Sequence, residues 1–171
     1  ERAQALGVPI YIHPADPHPA VIEAYYKDYP TMVGAVWGFT VEAATQGIRL
    51  ILSGVFDRYP DLKIILGHLG ETLPFALWRV DAVFKHTPGG PDLKRDFADY
   101  FRECFYITTA GNFSHPALIC CIMELGIERI LFSVDWPYMT NTDGIKFIDT
   151  APISEQDKQK ILRENVRNVL K

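Results

Sequence analysis

Apolar positions along the chain fall into two alternating rhythms. Four short runs are almost continuously apolar and rich in β-branched or aromatic side chains: residues 9–13 (PIYIH), 63–68 (KIILGH), 105–110 (FYITTA) and 129–135 (RILFSVD). Runs of this length, bounded by turn residues, predict strands covered on both faces, as in a parallel sheet. Between them the spacing is helical. Residues 41–59 carry Ala44, Ile48, Ile51, Leu52, Val55 and Phe56 on one side and stop before Pro60. Residues 73–86 offer Leu77, Val80, Ala82 and Phe84 and end at the breaker TPGGP, and residues 116–125 end on Gly126, a natural helix stop. The last helix starts at Ser154, with Asp157 three residues on as an approximate capping box, and continues through Ile161, Leu162, Val166, Val169 and Leu170.

Strand and helix therefore alternate four times after an opening ERAQALG that reads as the end of a helix. That order predicts an α/β parallel arrangement whose right-handed crossovers bring all strand C-termini to one edge. Two pieces interrupt it. Residues 14–39 form a long aromatic-rich connection containing Tyr25, Tyr26, Tyr29, Trp37 and Phe39, and connections this long are commonly functional. Residues 92–103 form a charged amphipathic insert with Phe97, Tyr100 and Phe101, a candidate subunit contact.

The chain has 171 residues, which suits a single domain, and 48% of them are hydrophobic, enough for a sizeable core. A net charge of −4 and the lack of any Lys/Arg cluster argue against nucleic-acid or anionic-membrane partners. No apolar stretch approaches the roughly 18 residues of a membrane span. The three cysteines, Cys104, Cys120 and Cys121, have no metal-binding spacing and read as free thiols in a reducing compartment, with cytoplasm as the default.

Candidate chemistry gathers at the strand ends. His13 closes the first strand, His68 the second and Asp135 the fourth, where parallel α/β folds keep their reactive groups. Taken singly, a histidine there is more often structural, and an Asp before a loop is commonly a turn or capping residue. Three of four strands ending in a metal- or proton-capable side chain make a site the stronger reading. In GHLGE, Glu71 follows His68 by three residues. It either orients and charges the imidazole or favours the next helix's N-terminus, and both roles are compatible. Arg79 either binds a substrate carboxylate or pairs with Asp81. Asn112, His115 and the tyrosine cluster carry weaker signals, and His18 and His86 read as surface residues.

With these residues in place, LILSGVFDRYPDLKIILGHLGETLPFALWRVD, YITTAGNF and ILFSVDWPY resemble the amidohydrolase-related family. Within it the chain is most similar to the non-oxidative hydroxybenzoate decarboxylases of the γ-resorcylate and 2,3-dihydroxybenzoate types, over nearly the whole length from IHP to NVRNVL. The resemblance implies a metal-dependent (β/α)8 TIM-type barrel acting on a small aromatic acid, of which residues 1–171 form a single partial domain carrying strands five to eight. Carried over by motif, His13 and Asp135 are metal ligands for Zn or Mn, and Asp135 is also the catalytic acid/base. His68 is the catalytic imidazole with Glu71 as its partner, and Arg79 binds substrate or supports the site. First-strand ligands have no counterpart here, so residues 1–171 alone are not expected to be active unless two chains pair to rebuild a barrel. A start without Met, in mid-helix, adds to the expectation of a C-terminal half, and a half barrel should leave two sheet edges open.

The implied reaction is release of CO₂ from an ortho-hydroxybenzoate by ring protonation, in a homo-oligomer. One rival is metal-dependent hydrolysis of an ester, lactone or amide with Asp135 as base. The other is a non-catalytic half barrel serving binding or assembly.

Overall fold

In the computed structural model, which describes residues 1–90 and 92–170, the four apolar runs pair as one parallel sheet in sequence order. The strands are β1 (Ile10–Ile12), β2 (Ile64–Leu66), β3 (Phe105–Thr108) and β4 (Ile130–Leu131). Ile10 pairs with Ile64, Ile64 with Phe105 and Ile107 with Ile130. The α/β architecture is as expected. Alternation across the sheet decides what each residue faces. Ile64, Leu66, Phe105, Ile107 and Ile130 pack into the main core with the helices, whereas Ile65, Tyr106 and Leu131 join Val169 in a small apolar cluster.

The helices are α1 (Arg2–Ala5), α2 (Pro19–Val21), α3 (Gly38–Leu52), α4 (Val55–Arg58), α5 (Leu73–Phe84), α6 (Phe97–Cys104), α7 (His115–Leu125), α8 (Asn141–Asp149), α9 (Glu155–Gln159) and α10 (Asn165–Val169). The single helix expected over 41–59 is two. Ser53 closes α3 by donating its hydroxyl to the Leu50 carbonyl, and Gly54 takes left-handed backbone before α4. α5 ends near the TPGGP breaker, of which Pro91 lies outside the described residues. α8 has no strong apolar rhythm and was not expected. It forms because the Thr140 hydroxyl caps it, accepting from Asp143 N, and because Phe147 and Ile148 reach the core. At Ser154 the expected cap is present, its hydroxyl accepting from Asp157 N.

The aromatic side of the insert, expected as a candidate subunit contact, is taken up by the chain's own core. On α6, Phe97, Tyr100 and Phe101 are all buried, and Phe101 stacks on Phe105 at 4.9 Å between ring centroids. Tyr100 donates its hydroxyl to Asp57 Oδ1 at 2.6 Å. Helical spacing turned the apolar side of this segment inward, leaving its charges outside.

Among the described residues the two edges of the sheet differ. β1 leaves Ile10 and Tyr11 exposed. The β4 edge is covered by the C-terminal helical segment, which widens into a π-turn at Lys160–Glu164. Phe132 N donates to the Ile161 carbonyl there at 3.0 Å. The buried Asn165 side chain donates to the carbonyls of Ile127 and Ile130, both at 2.8 Å. Asn165→Ala strands these buried acceptors and is expected to lower the unfolding free energy by about 1–3 kcal/mol in urea titration. Arg167→Ala, at an exposed position on the same helix, is expected to stay within about 0.5 kcal/mol of the parent protein.

Candidate active site

β2 runs into a turn of unusual hand. All five residues from His68 to Thr72 have positive φ (49°, 55°, 79°, 54° and 67°), and only Gly70 among them is a glycine. Left-handed backbone costs an L-residue about 1–2 kcal/mol, so the surroundings must hold such a turn in place. They do so with Leu69 buried in the core. The Asn112 amide donates to the His68 carbonyl at 3.3 Å, and the Cys121 thiol to the Leu69 carbonyl at 3.4 Å.

The turn's product is a close pair. His68 Nδ1 lies 2.6 Å from Glu71 Oε1, and Glu71 is only 1% exposed. Its other oxygen, Oε2, is buried without a hydrogen-bond partner. On the opposite side of the ring, His68 Nε2 faces Asp135 Oδ2 at 3.8 Å. Nδ1 therefore donates to Glu71 while Nε2 is presented to Asp135. The Glu71 carboxylate raises the His68 pKa above its ordinary value, burial opposes this, and Asp135 adds to the rise.

Asp135 itself sits in left-handed backbone at φ 76°, in the turn that follows β4. It shares a cavity of about 260 Å³ with His13, Phe39, His68, Gly111 and Tyr138. Gly111 was not singled out from the sequence, yet a side chain there would have to displace Asp135 and His68. A Cβ there would lie 2.9 Å from Asp135 Oδ2 and 3.0 Å from His68 Cδ2, and its φ is +63°. The usable signal was a glycine directly after an apolar strand, in TTAGNF.

His13 Nδ1 lies 2.7 Å from the Pro14 carbonyl and donates to it, which leaves the Nε2 lone pair for a metal. The His13 imidazole and the Asp135 carboxylate both line this cavity and are donor types that a divalent ion accepts. Among the described residues no group of three or more His, Cys, Asp or Glu side chains is close enough to complete a site.

Of the expected site residues, His13, His68, Glu71 and Asp135 converge. Arg79 does not. It is exposed on α5 beside Val80, Val83 and Phe84, and Asp81 pairs with Lys85 at 2.8 Å instead. From the aromatic connection Phe39 reaches the cavity, while Tyr25 and Trp37 stay exposed outside it. His115 packs flat on Phe147, and His18 accepts from Ala20 N at the start of α2. The three cysteines are free thiols. Among the described residues no helix is long and apolar enough to cross a membrane.

A family model described as amidohydrolase matches residues 1–171. A γ-resorcylate decarboxylase of Polaromonas sp. strain JS666 is 45% identical, over 100% of this chain and 53% of its own length. A crystal structure of a dihydroxybenzoic acid decarboxylase from the same organism, with bound manganese and the inhibitor 2-nitroresorcinol, superposes with a TM-score of 0.92 at 45% identity, covering 98% of this chain and 51% of that one. The manganese complex of 5-carboxyvanillate decarboxylase from Novosphingobium aromaticivorans gives a TM-score of 0.91 at 30% identity, covering 98% and 49%. The chain spans about half the length of the curated relatives it matches, and its four parallel strands correspond to the C-terminal half of a (β/α)8 barrel.

The raised His68 pKa has a direct check. The pair's contribution to stability is fully present below the ordinary value of 6.5 and is lost as pH rises through the higher folded-state value. In EDTA-treated protein, NMR titration of the His68 ring is expected to give a midpoint above 6.5. Glu71→Gln should move it down, and Asp135→Asn should move it down by less. A midpoint unchanged by Glu71→Gln would remove the carboxylate as the cause.

Proposed function

Because the chain belongs to the amidohydrolase family, we propose that it supplies the proton-handling half of a metal-dependent, non-oxidative decarboxylase that releases CO₂ from an ortho-hydroxybenzoate. The observation that carries this reading is the convergence of the His68–Glu71 pair, Asp135 and His13 on one cavity of about 260 Å³. The relatives' aromatic acid substrates and bound manganese support it.

His13 and Asp135 would hold the divalent ion, Mn or Zn. Such an ion would supply positive charge that holds the substrate's carboxylate and steadies charge developing on the ring. The remaining work falls to side chains. Asp135, at the cavity wall, delivers a proton to the ring carbon that bears the carboxylate, and a new C–H bond forms. The carbon–carboxylate bond then breaks, its electron pair restores the aromatic ring, and CO₂ leaves. His68 stores the proton that recharges Asp135 across the 3.8 Å gap, and Glu71 keeps the imidazole charged and oriented. Phe39 and Tyr138 give the cavity aromatic walls against which a flat ring can lie.

Residues 1–171 act in this reading as one partial barrel domain. Arg79, outside the cavity of its own chain, is kept as a substrate-binding or supporting residue on the strength of the WRVD motif alone. A homo-oligomer is part of the proposal. It is supported by Phe75 and Trp78 on α5, 87% and 75% exposed, since rings this large are commonly covered by another chain. The three free thiols support a reducing, cytoplasmic setting.

Full-length protein supplied with Mn²⁺ or Zn²⁺ and incubated with 2,6-dihydroxybenzoate is expected to release CO₂ and deplete the substrate's ring absorbance. Asp135→Asn should lower kcat by roughly 10²–10⁴-fold. Turnover of a lactone with the benzoate left intact would overturn the decarboxylase in favour of a hydrolase. Absence of metal uptake, together with no effect of His68→Ala on any activity, would favour a non-catalytic module.

A further inference from the structure

β4 is only two residues long, so the three residues that lead from it to Asp135 have no regular ladder to hold them. Asp135 nevertheless keeps a left-handed backbone at φ 76°, a conformation that lasts only where its flanks are fixed. Downstream the flank is a turn through the cis Trp136–Pro137 peptide, in which Tyr138 N and Met139 N donate to the Asp135 carbonyl at 2.8 and 3.1 Å. Upstream it is a pair of threonines at the end of β3.

Thr108 and Thr109 together hold Ser133, two residues before Asp135. The Ser133 hydroxyl donates to Thr108 Oγ1 at 3.0 Å. Ser133 N donates to Thr109 Oγ1 at 3.1 Å, and the Thr109 hydroxyl donates to the Ser133 carbonyl at 2.7 Å. Thr109 is fully buried and bonds both main-chain groups of one residue, as a neighbouring strand would. Next along, Gly111 N donates to the Val134 carbonyl at 3.4 Å. The hydroxyl therefore continues the sheet's pairing across a stretch where the backbone ladder has stopped.

We propose that Thr109 is a positioning residue for Asp135: its hydroxyl clamps the Ser133 main chain and so fixes where the Asp135 carboxylate stands relative to His68 and to a bound metal. The proposal rests on Asp135 being a metal ligand and proton donor, as read above. Valine has nearly the shape of threonine without the hydroxyl, so Thr109→Val removes both bonds with little change in packing. Thr109→Ser keeps the hydroxyl and is the rescue variant.

Two readouts are taken on wild-type protein and both variants: amide hydrogen exchange over residues 132–135, and Mn²⁺ affinity by EPR. Thr109→Val is expected to speed exchange in that segment and weaken Mn²⁺ binding by about ten-fold, the scale of losing an outer hydrogen-bond partner of a metal ligand. Thr109→Ser is expected to restore both towards wild type. Exchange unchanged in Thr109→Val, or changed equally in both variants, would overturn the clamp. Wild-type protein that takes up no Mn²⁺ would count against the metal reading alone. The exchange over residues 132–135 would then decide the clamp by itself.

Discussion

The hydrogen bond between His68 and buried Glu71 exists because the backbone between them runs the wrong way for L-residues. Right-handed backbone after β2 would begin the next helix at once and leave the two side chains to the helix surface. A left-handed turn instead folds the carboxylate under the ring at 2.6 Å and points the other ring nitrogen towards Asp135. Four non-glycine residues at positive φ are costly, and the cost is met by contacts from three directions. Leu69 is sunk in the core, Asn112 reaches over from the loop after β3, and Cys121 reaches from α7. Core packing, β3 and α7 thus all bear on one imidazole. A buried cysteine is part of what keeps the turn closed.

Around that pair the sheet supplies graded surroundings. Ile65, Tyr106, Leu131 and Val169 make an apolar patch on the face away from the main core. Further along the strands comes a set of hydroxyls, with Tyr11 OH 2.9 Å from Thr108 Oγ1 and Ser133 bonded to the same oxygen. Beyond them, at the strand ends, stand the imidazoles and the carboxylates. Parallel strands make this order repeat from strand to strand, because every strand runs from its apolar beginning to its polar end in the same direction. The site is a consequence of strand direction as much as of any one residue.

That is also why so much of it was legible beforehand. Apolar runs ending in His13, His68 and Asp135 fix both a parallel sheet and the edge where the groups meet, and the three-residue spacing of His68 and Glu71 fits the observed pair. What the sequence concealed is local backbone hand and side-chain reach. Nothing in HLGET announces five positive φ values, and the role of Gly111 depends on atoms that arrive from two other loops. The amphipathic segment at Phe97–Cys104 was legible as a helix face but not as to what it covers, since periodicity does not distinguish a core from an interface. Arg79 was read by motif alone, and its position on the outer side of α5 follows from a helix phase that the motif does not carry.

The central claim is that the strand ends assemble a metal-binding pair, His13 and Asp135, beside a His68–Glu71 pair that binds no metal and supplies protons to Asp135. Anomalous diffraction from crystals grown with Mn²⁺ tests it most directly. The account predicts a single strong peak bonded to His13 Nε2 and an Asp135 carboxylate oxygen, with His68 left unligated and still bonded to Glu71. A peak on His68, or one that avoids His13, would contradict the division of labour on which the whole reading stands.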